Sequence, residues 1–241
     1  PHNHFGGQDV ADIAKYYKDV KYFVSISNSH RKQFPFDFVG TVYNGIDVKK
    51  FEFNSKPEKY LVWLGRFSKT KGAHEAIKIA LKAGLSLKIA APEDDGKYFK
   101  TEIEPYLGKK GIEYIGEVNF EEKDKLLGNA FAFVSPISWE EPFGLVVPES
   151  NACGTPIIAY DRGAMPEIIK DGINGFCVKP DDTNEMVRVI REMLAMSSDK
   201  YESLRYSCRQ YAEENFTVEK MVDGYEKVYE KVIEDWKRKN G

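Results

Sequence analysis

From residue 60 onward, short apolar runs alternate with longer stretches of helical periodicity. Tyr60–Leu64 is a continuous apolar run closed by Gly65, and Ser86–Ala90, Glu113–Ile115, Ala130–Ser135, Pro156–Tyr160 and Gly175–Val178 repeat the theme. Such runs, rich in aromatic and β-branched residues and bounded by turn formers, read as strands buried on both faces. Between them, Ala76, Ile77, Ala80 and Leu81 mark a helix over 73–83, and Phe99, Ile103 and Tyr106 mark another. Further helices are expected at 120–127, at 165–169 and at 144–153. Repeated strand–helix units predict an α/β fold, a Rossmann-like parallel sheet with helices on both faces.

The first 57 residues follow a different pattern. Val10, Ile13, Ala14 and Tyr17 sit at helical spacing, Lys21–Ser27 reads as a strand, and Ser29–Phe34 as a short helix stopped by Pro35. Thr41–Tyr43 is extended, Asn44-Gly45 reads as a turn, and 44–57 is irregular enough to be a linker. Three helices close the chain. Asp182 and Glu185 resemble a capping box ahead of Met186, Val189, Ile190 and Met193, and a second helix runs over 200–215. The third, after Thr217, lines up Met221, Tyr225, Val228, Val232 and Trp236 as a stripe that must dock on something.

The chemistry concentrates in Glu141-Pro142-Phe143-Gly144-Leu145-Val146-Val147-Pro148-Glu149, two carboxylates separated by seven residues. Pro148 is tolerated only in a helix's first turn, so this helix starts near 143–145, with its free amides toward Glu141. A helix start suits a phosphate or sugar oxygen. Glu149, among Leu145, Val146, Val147 and Ala152, needs a partner for its charge. A ligand diol donating both hydroxyls would serve. Exposure to solvent, with Glu141 as a mere helix cap, would serve equally, and spacing leaves both readings open.

In an open parallel sheet, ligands bind beyond the carboxyl ends of the strands. Gly65–Gly72 lies at such an end and carries Arg66 and Lys71, two cations suited to a diphosphate. It is neither a P-loop nor a Gly-x-Gly-x-x-Gly fingerprint, which argues against a nicotinamide-dependent oxidoreductase. Gly116-Glu117-Val118 offers backbone groups to a base. Asp161–Glu167 reads as a turn and a helix start.

Composition narrows the partners. A net charge of −3 over 241 residues gives no bulk attraction to nucleic acid. No apolar run approaches the ~20 residues of a membrane-spanning helix, and no signal peptide is visible. Cys153, Cys177 and Cys208 read as reduced thiols of a cytoplasmic protein. His2-Asn3-His4 has no third ligand nearby, so no metal is expected. The chain starts at Pro1, as a piece of a longer protein would.

In this order, Gly65-Arg66…Lys71-Gly72, Gly116-Glu117-Val118, Glu141 to Glu149, Gly154-Thr155-Pro156…Gly163…Pro166-Glu167 and Asp171-Gly172…Gly175 resemble the donor-binding domain of retaining glycosyltransferases of the GT-B fold, family 4 (glycosyl transferases group 1). The resemblance covers roughly residues 40 to 240. It implies that residues 1–45 are the tail of an N-terminal acceptor domain with the linker, 46–216 the donor-binding domain, and 217–241 an amphipathic helix packing back toward the N-terminal segment. By the same resemblance, Arg66 and Lys71 hold the diphosphate of a nucleotide sugar, Glu149 accepts the ribose hydroxyls, and Glu141 contacts the donor sugar. Backbone amides of Phe143, Gly144 and Leu145 bind sugar and phosphate oxygens, and the main chain near Val118 meets the base. His2 resembles the N-terminal-domain histidine that faces the donor sugar. The expected substrate is a UDP-sugar, with no bound metal or other cofactor and an unidentified acceptor. The acceptor cleft would then need a missing domain or a second chain, and the isolated chain could be inactive. The rival from the same residues is a module that holds a nucleotide sugar without transferring it.

Overall fold

The computed structural model describes residue 12 and residues 15–240, so His2, His4 and half of the helix expected at 9–18 lie outside the described residues. Two parallel sheets organise the rest. The small one pairs β1 (Phe23–Ser25) with β2 (Phe38–Thr41), bridged by helix α1 (Asn28–Gln33). The large one contains β3 (Tyr60–Leu64), β4 (Ser86–Ala90), β5 (Ile112–Gly116), β6 (Ala132–Ser135), β7 (Ile157–Tyr160) and β8 (Gly175–Val178), in the order β5-β4-β3-β6-β7-β8. Every pairing in it is parallel. The chain therefore builds outward from β3 in one direction, returns to the centre, and builds outward from β6 in the other.

Residues alternate faces along each strand. Leu61, Trp63, Leu87, Ile89, Ala132, Val134, Ile158 and Tyr160 pack on one side with α2 (Ala73–Ala83) and α7 (Thr183–Leu194). Tyr60, Val62, Phe133, Ile157 and Ala159 pack on the other with Leu126 and Leu127 of α4 (Phe120–Gly128) and Val147 of α5 (Val146–Ala152). Both faces are covered, which explains why central strands such as β3 and β7 read as uninterrupted apolar runs, while Lys88 and Glu113 interrupt β4 and β5 toward the sheet's edge.

Several expected boundaries shift for local reasons. The helix expected to reach Tyr106 is instead α3 (Lys97–Glu102) followed by a 3-10 turn over Glu104–Tyr106, because Pro105 has no N–H to continue the ladder. Asp182 caps α7 by accepting from the Glu185 N–H, but the Glu185 side chain turns to the Lys179 N–H, so the capping box is open on one side. A closed box forms instead between Asn119 and Glu122 at the start of α4. Asn44-Gly45 is not a turn. Gly45 lies where the chain returns from α8 (Ser198–Asn215): a Cβ there would stand 2.3 Å from the Thr217 carbonyl oxygen. Ile46 donates its N–H to the Phe216 carbonyl at 2.8 Å, fastening the two passages side by side.

The last helix, α9 (Val218–Asn240), leaves the large sheet and lies along β2. Val228 seats over Gly40, Lys231 Nζ donates to the Val39 carbonyl, and Tyr22 donates to Asp235. Arg205 is fully buried and sequence gave no sign of its role. Its guanidinium donates to the carbonyls of Asn54, Gly128 and Ala130, tying α8 to the linker and to the end of α4.

Candidate functional site

The central strands β3 and β6 are neighbours whose following helices start off in opposite directions along the sheet, and a crevice opens where their loops part. Here the loop after β3 turns through a short 3-10 stretch, Lys69–Lys71, whose start is capped by the Ser68 side chain. Trp63 Nε1 donates to the Lys71 carbonyl at 3.1 Å, and the Ser138 N–H donates to the Thr70 carbonyl at 2.9 Å. The basic loop is thereby fastened both to its own strand and to the loop after β6.

A cavity of about 300 Å³ lies between them, lined among others by Gly65, Arg66, Lys71, Trp139, Glu141 and Phe143–Leu145. Lys71 Nζ donates to Glu141 Oε2 at 2.6 Å and stands 4.7 Å from the centre of the Trp139 ring. Arg66 is exposed at the rim. The helix α5 starts at Val146, one residue past the expected range of 143–145, and Pro148 sits in its first turn as the proline rule requires.

The loop after β7, which reads as a turn and helix start, also buttresses this site. The Ala164 N–H donates to the Glu141 carbonyl at 2.8 Å, and the Gly163 N–H to Glu140 Oε2 at 2.7 Å. Gly163 has φ +61°, and a Cβ on it would stand 2.3 Å from the backbone nitrogen and oxygen of Glu141. Only glycine allows that approach. Arg162 reaches Asp181 at 2.7 Å and Glu140 at 3.8 Å, steadying the same stretch.

The N-terminal segment closes the other side. Ser27, the N-cap of α1, donates its hydroxyl to the Pro142 carbonyl, and Gln33 Nε2 to the Glu140 carbonyl at 3.3 Å. Glu167, on the single-turn helix α6 (Met165–Ile168), accepts the Asn28 N–H at 2.8 Å and the Tyr43 hydroxyl at 3.1 Å. Burial and the Glu167 charge push the Tyr43 phenol up to about 12, so it stays a donor.

Of the residues singled out from sequence, Arg66, Lys71, Glu141, Phe143, Gly144 and Leu145 share the cavity. Glu149 and Val118 are not among its lining residues. Val118 packs half-buried against the core on the α4 side. Glu149 is neither exposed nor empty-handed: Lys123 Nζ donates to its Oε1 at 2.6 Å, with Lys123 lying 5.8 Å from both the Phe51 and Phe120 rings. His2 lies outside the described residues. Among the described residues no three His, Cys, Asp or Glu side chains gather as a metal-binding group. No helix among them is long and apolar enough to cross a membrane. Sequence reasoning missed Trp139 and Lys123, and it gave Gly163 and Glu167 no role beyond a turn and a helix start. Trp139 carried the one available signal, an aromatic two residues ahead of Glu141.

The family model for glycosyl transferases group 1 matches residues 45–215. Among curated relatives, the uncharacterized glycosyltransferase MJ1178 of Methanocaldococcus jannaschii is 30% identical over 197 residues, covering 79% of this chain and 53% of that protein. The N-acetyl-alpha-D-glucosaminyl L-malate synthase of Bacillus anthracis is 28% identical over 234 residues, covering 90% of this chain and 59% of its own. The structure of Anabaena Alr3699/HepE in complex with UDP and glucose superposes with a TM-score of 0.80 at 17% identity, covering 96% of this chain and 68% of that one. The chain thus spans between about half and three fifths of the length of these curated relatives. The α/β architecture is that of the GT-B glycosyltransferases it superposes on. With the family model reaching from the linker to the end of α8, the chain belongs to the glycosyl transferases group 1.

Proposed function

We propose that this chain is the donor-binding part of a retaining, family 4 glycosyltransferase, which moves a sugar from a nucleoside diphosphate sugar to an acceptor without a bound metal. The observation that carries the reading is the shared cavity at the β3–β6 crevice, where two cations and a carboxylate converge beside a helix start. Arg66 and Lys71 hold the diphosphate and stabilise the negative charge that builds on it as the bond to the sugar breaks. For this, Lys71 trades its bond to Glu141 for phosphate oxygens, and the freed Glu141 carboxylate accepts hydroxyls of the donor sugar. Backbone amides of Phe143, Gly144 and Leu145 meet the remaining oxygens, the main chain at Val118 the base, and Glu149 the ribose diol. To His2, which lies outside the described residues, the resemblance gives the part of the histidine that meets the donor sugar. Attack comes from the face the diphosphate leaves, so Glu141 and Glu149 do not act as a glycosidase acid/base pair.

The donor is a UDP-sugar, a choice supported by the UDP complex of a protein of the same fold. Residues 46–216 are the donor domain, 1–45 the end of the acceptor domain and linker, and 217–241 the helix that returns to it. Three free cysteines suit the cytoplasm. Replacing Arg66 and Lys71 together by Ala tests the reading by calorimetry. UDP binding is expected to fall at least a hundredfold while uridine binding changes little. Equal losses for both would remove the diphosphate from this loop.

A further inference from the structure

We infer that Trp139 is a specificity-determining residue whose indole face receives the C–H face of the donor's pyranose ring; this rests on the donor-site reading above. The indole is half-buried and lines the same cavity as Lys71 and Glu141, two residues from the carboxylate that would take sugar hydroxyls. An aromatic wall beside a carboxylate is the chemistry that recognises a sugar. The ring covers the apolar C–H face, and the acid accepts hydroxyls projecting from the edge.

In the described structure that wall holds a different guest. Lys71 Nζ stands 4.7 Å from the ring centre while bonded to Glu141 at 2.6 Å, so one ammonium engages both surfaces a sugar would use. An ammonium over an indole face is held by the ring's quadrupole, and a diphosphate competes for it with full negative charges. Drawing Lys71 toward the phosphates clears the indole and the carboxylate in one movement. The diphosphate thereby prepares the sugar subsite, and a nucleotide without the sugar leaves it open to water. Specificity follows from shape: a pyranose with a flat, unbroken C–H face stacks, and one with an axial hydroxyl on that face does not.

The experiment measures binding of UDP, UDP-glucose and UDP-galactose to the unaltered chain, to W139F and to W139L by calorimetry. In the unaltered chain the two UDP-sugars are expected to differ from each other in affinity. In W139L both are expected to bind as UDP does, the sugar-dependent gain of about tenfold having vanished, while UDP itself binds no more weakly than to the unaltered chain. W139F is expected to keep most of that gain. A loss in W139L that is equal for UDP and both UDP-sugars would overturn the inference and leave Trp139 as a support for Lys71, with the donor site intact. No change in either variant would overturn it too. Failure of all three ligands to bind the unaltered chain would sink the donor-site reading, and this inference with it.

Discussion

Two lysine–glutamate pairs of identical length, 2.6 Å, and similar burial stand in different settings in this molecule. Lys71–Glu141 joins two loops at the mouth of the sheet and opens onto a cavity. Lys123–Glu149 joins α4 to α5, with Phe51 and Phe120 beside the ammonium. A pair between loops facing a cavity can be exchanged for a charged ligand at little structural cost. A pair between two packed helices has less freedom to part, so it fixes where its carboxylate points. Distance and exposure alone would score the two as equivalent; the elements that carry them separate a replaceable contact from a positioning one.

The sharpest way to break this comparison is to remove each ammonium in turn. Lys71→Met is expected to weaken UDP binding about a hundredfold, and Lys123→Met by no more than about threefold. Comparable losses would erase the distinction. A smaller effect is expected on the sugar of the nucleotide. The unaltered chain should prefer UDP over 2′-deoxy-UDP, and Glu149→Gln should shrink that preference by up to about tenfold, whereas an unchanged ratio would take Glu149 off the ribose. The smallest signal is a thiol. Cys153 is buried, donates to Asp124 at 3.3 Å, and follows Glu149 at the end of α5. Burial first, and the Asp124 charge next, push its pKa far above the ordinary thiol value, so the reactive thiolate is scarce at pH 8. Its labelling by a disulfide reagent should quicken severalfold in Lys123→Met and stay unchanged in Lys71→Met. The opposite order would mean that the cavity pair, not the helix pair, holds this corner together.

The large sheet was legible in sequence because its strands are buried on both faces, and an apolar run such as Tyr60–Leu64 has no other economical fold. The Gly65–Gly72 loop and the Glu141 segment were legible for a related reason: glycine, proline and charge at a strand's end leave few conformations. What stayed hidden depends on contacts between residues far apart in the chain. Nothing around residue 123 announces that its ammonium meets Glu149, and an Arg at position 205 looks like any charge on a helix until four carbonyls converge on it. Asn44-Gly45 misled because its composition fits a turn, while its glycine is there for a passing backbone. The loop at 161–167 was read for its own shape, and its work is done on Glu141 and on α1, more than twenty residues upstream.

The side-by-side passage of the chain at Ile46 and Thr217 has a mechanical consequence. The polypeptide travels between the small sheet and the large one out and back through a single narrow waist, and the two strands of that waist are joined by a backbone bridge. A swing of one body against the other would pivot there with neither sheet deformed. Its toll includes polar contacts that water can replace, Ser27 with Pro142, Gln33 with Glu140, and Asn28, Ser29 and Tyr43 with Glu167, together with the apolar packing of Ile26 and Tyr43 on the large core. Since Pro142 and Glu140 flank Glu141, such a swing would register directly on the carboxylate at the heart of the cavity.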